Sequence, residues 1–259
     1  MKKSQNTGRN NGRADLLPVG IVLAVLVFWQ LIVSWGDIPP YILPSPIMVL
    51  KALFDEKELL LTHTLATLNE ALVGFSLAVV LGMIFGILMG YSEPFRRALY
   101  PIFIITQTIP IIVLAPLFAI WFGFGFLPKI LIVILVCFFP VAVTFAQGLI
   151  KADEDMDQLL KVMGAKRWQA FRKVRIPQAL PSLFSGLKIA ATYSIMGAVI
   201  SEWVGAKSGL GIFMTRAMSS FRTSVLFADV FVIIVLSLGI YKAVEIIEKK
   251  IILRKYNIR

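Results

Sequence analysis

Cysteine and histidine are nearly absent from this chain: Cys137 and His63 are the only examples among 259 residues. A lone cysteine excludes an intrachain disulfide framework and a cysteine-rich zinc site. His63, at the start of a hydrophobic run, reads as an interfacial residue. Charge is scarce as well. Only 16% of residues are charged and 58% are hydrophobic, against about 25% and about 45–50% in an average soluble domain. A soluble globular enzyme is therefore a poor fit. Acidic residues are the scarcer sign, 15 Asp+Glu against 26 Lys+Arg, for a net charge of +11. No glycine is followed by lysine, so the phosphate-cradling pattern G-x-x-x-x-G-K-[ST] is missing, and ATP hydrolysis, if the protein's work needs it, has to come from another polypeptide. Strand-like alternation is missing too, which argues against a membrane β-barrel. No catalytic triad or metal cluster points to enzymatic work.

What the chain has is long apolar runs. A bilayer core of about 30 Å takes about 20 mostly apolar residues per helix. Six runs qualify, at roughly 16–35, 65–91, 98–121, 128–150, 181–204 and 224–241. The expected fold class is all-α: a polytopic membrane protein with six transmembrane helices. Lys2, Lys3, Arg9 and Arg13 precede the first run like the basic region of a signal peptide. That run is too long for one, however, and the following Trp35-Gly36-Asp37-Ile38-Pro39-Pro40 is no small-residue cleavage site, so a retained helix is expected.

The basic residues set the orientation. Four lie before the first run, two at Arg96-Arg97, eight from Lys151 to Lys188 and six from Lys242 onward. Those twenty fall on one side and the remaining six of the 26 on the other. Both termini are expected in the cytoplasm, and most of the basic excess serves topology and anionic lipid contact rather than nucleic acid.

The longest polar segment on the inner side, residues 151–181, is patterned. Met156, Leu159, Leu160 and Met163 recur at helical spacing and form one apolar stripe. Asp153, Glu154 and Asp155 stand at the positive end of the helix dipole. Asp157 and Lys161 are spaced as an i,i+4 pair, and Gly164 follows the stripe as a helix-ending glycine. A second short helix, roughly 167–174, is expected to stop before Pro177 and Pro181, which would turn the chain back into the membrane. The stripe suits either the bilayer surface or the groove of a cytoplasmic partner.

This loop resembles that of binding-protein-dependent importer permeases, the type I ATP-binding-cassette importers. Their pattern is E-A-A, three residues, Gly, nine residues, I-x-L-P. Here Gly164-Ala165 leads, at the right spacing, to Val174-Arg175-Ile176-Pro177, while Gln158-Leu159-Leu160 replaces the acidic-alanine triplet. Ala115-Pro116-Leu117, Trp121–Gly125, Glu202–Ala206 and Ser208-Gly209-Leu210-Gly211 extend the resemblance over nearly the whole chain. They look most like the nitrate, sulfonate, taurine and thiamine-precursor branch. Phe138-Phe139-Pro140, Ser185–Ala190 and Ser201-Glu202-Trp203 look most like permeases for hydroxymethylpyrimidine-type precursors.

The resemblance implies a cytoplasmic basic tail over 1–15, the first helix over 16–35 and an extracytoplasmic segment over 36–64. A five-helix permease core over 65–245, with a coupling loop at 151–181, and a basic tail over 246–259 complete the chain. It also implies a cytoplasmic ATPase dimer that binds ATP and Mg, an extracytoplasmic solute-binding protein, a permease homodimer and a bacterial inner-membrane location. No cofactor is expected in this chain. Met156, Leu159, Leu160, Met163, Gly164, Ala165 and Pro177 are the expected ATPase-coupling residues.

Polar groups in hydrocarbon usually face a cavity or a neighbouring helix. Thr106, Gln107 and Thr108, before Pro110, and Tyr193, Ser194 and Glu202 are candidate pathway residues. Glu202 equally suits an interfacial carboxylate reaching water, and Asp229 is expected to pair with a neighbouring helix. Gly82, Gly86 and Gly90 form a flat face for helix packing. An ion-coupled secondary transporter is the competing class, but no internal repeat supports it.

Overall fold

The computed structural model describes residues 11–152 and 154–256. Within them the chain is helical, in the order α1 (Asn11–Trp35), α2 (Pro46–Asp55), α3 (Lys57–Tyr91), α4 (Glu93–Thr108), α5 (Ile111–Phe122), α6 (Phe126–Ile150), α7 (Glu154–Val162), α8 (Arg167–Ala170), α9 (Ile176–Glu202), α10 (Leu210–Ser219) and α11 (Thr223–Tyr256). The basic residues Lys2, Lys3 and Arg9, the carboxylate Asp153, and the Glu154, Asp157 and Lys161 side chains lie outside the described residues and side chains. Five helices are long and apolar enough to cross a membrane, and α4 with α5 makes a sixth span if the bent pair is counted as one.

The core is built from α3, α6 and α9. Small residues on one face of α3 let α6 approach until side chains meet backbone. A Cβ added at Gly74 would sit 2.6 Å from Val133, one at Gly82 2.8 Å from Val141, and one at Gly90 2.6 Å from Leu149. In lipid the apolar surface itself does not drive helices together, so this close packing is what holds them. Gly148 of α6 packs against Ser182 of α9 in the same way. Cys137 is buried there and donates to the carbonyl of Ala190 at 3.2 Å. α1 stands outside this core: its residues 18–27 are all exposed, and Trp29 touches α11 at Phe227, with ring centroids 5.5 Å apart.

Besides α11, which continues to Tyr256, past the expected end of the sixth run near 241 and into the expected tail at 246–259, three elements differ from the sequence expectation. The third run is not one helix. α4 and α5 meet at a bend of 97°, because Pro110 has no N–H to continue the ladder and forces Ile109 into extended backbone. The second run starts at Lys57 rather than Leu65, after a separate helix α2 that Ser45 caps by accepting from the Met48 N–H at 3.3 Å, with Pro46 in its first turn.

The third difference concerns Pro177 and Pro181, which do not break the chain. Residues 167–202 run as one continuous helical span. A π turn over Phe171–Arg175, closed by the Ile176 N–H on the Phe171 carbonyl, precedes Pro177. The wider turn shifts the hydrogen-bond register before the residue that lacks a donor, so Pro177 sits in the first turn of α9 and is tolerated.

Candidate functional site: a patterned loop, a broken span and a buried polar network

At one end of the bundle lies the patterned loop. α7 ends as its spacing predicts. Gly164 has φ +81 and the Ala165 N–H bonds the Leu160 carbonyl at 2.9 Å, which closes a Schellman cap. The apolar stripe is open to the outside: Leu159 and Met156 are about half exposed, and Met163 is 73% exposed beside Val162 at 87%. Leu160 is the half-buried member.

The segment after the glycine is anchored. The Arg167 Nη2 donates to the Tyr91 carbonyl at 2.8 Å, and the guanidinium lies 4.9 Å above the Tyr91 ring. Trp168 and Phe171 pack their rings on Tyr91, with centroids 5.9 and 5.1 Å from it. Gln169 Oε1 accepts from the Lys166 N–H at 2.8 Å and caps α8. The loop therefore presents an apolar helix from a base fixed to the end of α3, and that base leads through the π turn into α9.

The break between α4 and α5 lines a cavity of about 200 Å³, formed by residues 106–111 and by Leu135 and Val136 of α6. Gln107 and Thr108 are exposed and Thr106 is half-buried. The threonine hydroxyls serve the broken helix end: Thr106 donates to the Phe103 carbonyl at 2.8 Å and Thr108 to that of Ile105 at 2.7 Å. The Gln107 side chain is thus the polar group of this run that the helix end does not use. Tyr193, Ser194 and Glu202 do not line this cavity. Tyr193 is exposed on α9, while Ser194 is fully buried and donates to its own helix at Ala191.

Glu202 is not an interfacial carboxylate reaching water. It is fully buried and accepts from the Thr67 hydroxyl and from the Gly211 N–H, both at 2.6 Å. Nor is His63 interfacial: it is buried, and its Nδ1 accepts from the Gly209 N–H at 2.9 Å. Thr67 completes the set by accepting from the Leu210 N–H at 2.8 Å. Next to Glu202 lies Glu70, bound by Lys129 at 2.6 Å. Lys129, near the start of α6, is buried. The available signal was the i, i+4, i+7 spacing of His63, Thr67 and Glu70, which continues into the glycine face of α3. Asp229 has no partner on either carboxylate oxygen among the described residues, so the expected pairing with a neighbouring helix is not made.

The architecture defines a polytopic helical membrane protein, with five to six candidate spans and an exposed amphipathic helix between two of them. Residues 78–253 match the family described as binding-protein-dependent transport system inner membrane component. The chain belongs to that family and is a permease subunit of an ATP-binding-cassette importer. It is 36% identical to the formylaminopyrimidine transport permease protein ThiX of Halalkalibacterium halodurans, across 90% of this chain and 93% of that one. It is 34% identical to the riboflavin transport system permease protein RibX of Chloroflexus aurantiacus, across 91% and 88%. To the taurine transport system permease protein TauC of Escherichia coli it is 30% identical, across 87% and 84%. Among solved structures, the inward-facing MetNI methionine ABC transporter has the same fold, with TM-score 0.62 and 20% identity over 80% of this chain and 98% of that one.

Proposed function

We propose that this permease forms the transmembrane path for a thiamine pyrimidine precursor of the formylaminopyrimidine or hydroxymethylpyrimidine type. An extracytoplasmic solute-binding protein delivers the solute. A cytoplasmic ATPase dimer, which holds ATP and Mg, powers the cycle, and two copies of this chain enclose the path. Both termini face the cytoplasm of a bacterial inner-membrane protein, with the loop at 151–181 on the same side. The observation that carries the coupling reading is the exposed stripe of Met156, Leu159 and Met163 on a helix whose base is fixed by Arg167 and Tyr91. A stripe of this kind seats in a groove of a partner, and Gly164 and Ala165 set where it ends.

ATP-driven closure of the ATPase dimer moves α7, and Pro177, at the start of α9, receives that motion through the π turn. The open path then takes the solute, with Gln107 at the break and Tyr193 on α9 as the exposed polar groups available to it. Such a cycle is a two-state element biased by a ligand bound elsewhere. The substrate reading rests on the 36% identity to the formylaminopyrimidine permease. Riboflavin, taurine, sulfonates and nitrate are the alternatives it has to beat. Uptake by a strain deleted for this gene, supplied in turn with each solute, decides among them. Loss of pyrimidine-precursor uptake alone is the expected result. Loss confined to any of the other solutes overturns the substrate reading and leaves the importer assignment standing.

A further inference from the structure

The start of α10 is held in an unusual way. A helix N-terminus leaves its first N–H groups without intrahelical partners, and a local capping residue or water ordinarily serves them. Here three successive amides, those of Gly209, Leu210 and Gly211, donate to three buried side chains on two other spans: His63 Nδ1, Thr67 Oγ1 and Glu202 Oε2, at 2.9, 2.8 and 2.6 Å. Thr67 donates to the other Glu202 oxygen at 2.6 Å, so both carboxylate oxygens are used. The backbone allows nothing larger here. Gly209 has φ +127, and a Cβ at Gly211 would meet the Val199 carbonyl and the Glu202 side chain.

At its other end α10 buries Ala217 in the core, and the turn that follows it is fastened at the surface. Exposed Arg222 pairs with Glu56, and the Thr223 hydroxyl donates to the Tyr41 carbonyl at 2.6 Å. A cavity of about 540 Å³ opens between α2 and the turn that follows α10.

Residues 167–202 form one continuous helical span of 36 residues, a rod roughly 54 Å long at about 1.5 Å per residue. Its one end carries the loop beyond Gly164, and its other end carries the carboxylate that grips α10. We propose that Glu202 is a positioning residue: together with Thr67 and His63 it latches α10 to α9 and α3, so that displacement of the coupling loop reaches α10, which moves as the outer gate. A buried carboxylate is a poor means of stabilisation, since apolar packing of the same volume holds as well. What it supplies is directional acceptors for two donors from different elements. The proposal rests on the reading of α7 as the ATPase contact.

The test uses the tagged permease purified with the ATP-binding-cassette ATPase that accompanies it, so no substrate has to be known. Met218→Cys places a thiol on the exposed face of α10, and Cys137 is buried and stays silent. The rate of modification by a membrane-impermeant maleimide is compared without nucleotide and after trapping with ATP and vanadate. With the latch intact the two rates differ by about fivefold or more, the lower end of ordinary coupling between sites. Adding Thr67→Val, which keeps the volume and removes the hydroxyl, abolishes that difference while ATP hydrolysis stays within about twofold. Thr67→Ser restores it, and Glu202→Gln behaves as Thr67→Val does. A nucleotide response of Met218→Cys that survives both latch variants overturns the proposal, and so does its absence with the latch intact. Parallel loss of hydrolysis and response, or failure of Thr67→Val to reach the membrane, reduces the network to a fold-stabilising role and also overturns it. If no ATPase accompanies the permease, the transport reading fails first, and that result is distinct from all of these.

Discussion

The two ends of the α9 span are built in opposite ways. At the loop end, apolar side chains stand exposed on α7, and its last turn is closed by a glycine with nothing within 4 Å of where a Cβ would be. At the Glu202 end, polar side chains are buried, and both Glu202 oxygens accept hydrogen bonds from within the chain. Exposed apolar surface on a short helix is a liability unless another molecule covers it. A buried carboxylate is a liability unless its own chain supplies donors. On the proposed reading, the first end meets a partner, and the second ties α10 to α9 and α3.

Charging the stripe breaks that comparison most directly. Leu159→Glu with Met163→Glu removes two apolar anchors, each worth about 2 kcal/mol in a typical interface. ATPase affinity is then expected to fall by about 100-fold to 1,000-fold, read by titrating the ATPase onto permease in nanodiscs, with membrane level unchanged. Gly74→Leu attacks the internal packing and leaves the loop alone. Its side chain would enter the space of Val133, and overpacking of this kind costs about 1–3 kcal/mol, seen as a lower melting temperature in detergent with the remaining folded fraction still binding ATPase.

Gly164→Val places a branched side chain at φ +81, which costs about 1–2 kcal/mol locally. The expected result is lower uptake with unchanged insertion, and Gly164→Asn, which tolerates the left-handed region, recovers most of it. Wild-type uptake by the valine variant would count against the cap. Arg167→Lys is the mildest change. It loses the hydrogen bond and ring contact to Tyr91, a cation–π term of about 0.5–1 kcal/mol at an exposed site, and is expected to lower uptake by less than Gly164→Val does in the same assay.

The loop was legible in the sequence because its signals are local. Met156, Leu159, Leu160 and Met163 share a helical face, and Gly164 falls one step past it, so a single pattern contains both the helix and its end. The spans were legible for the same reason, since about 20 apolar residues announce themselves. The Glu202 network was not, because its members come from residues 63, 67, 202 and 209–211 and meet only after α3, α9 and α10 have packed. A carboxylate near the end of an apolar run looks interfacial until the segment that folds back over it is known. The smooth passage of α9 through Pro177 was hidden as well: the π turn at Phe171–Arg175 is a change of hydrogen-bond register that no residue spacing displays. The bend at Pro110 stood between the two cases. The breaker was visible, but its 97° angle depends on how α5 packs on α6.

In the proposed cycle the α7 stripe is covered by an ATPase and not by lipid. A photoactivatable cross-linker placed at Leu159→Cys in the active transporter tests it most directly, with the same group at Met218→Cys as the control at the opposite end. The expected result is a cross-linked adduct with an ATP-binding-cassette ATPase from position 159 and none from position 218. Adducts with lipid alone from position 159, in a transporter that still hydrolyses ATP, would contradict it.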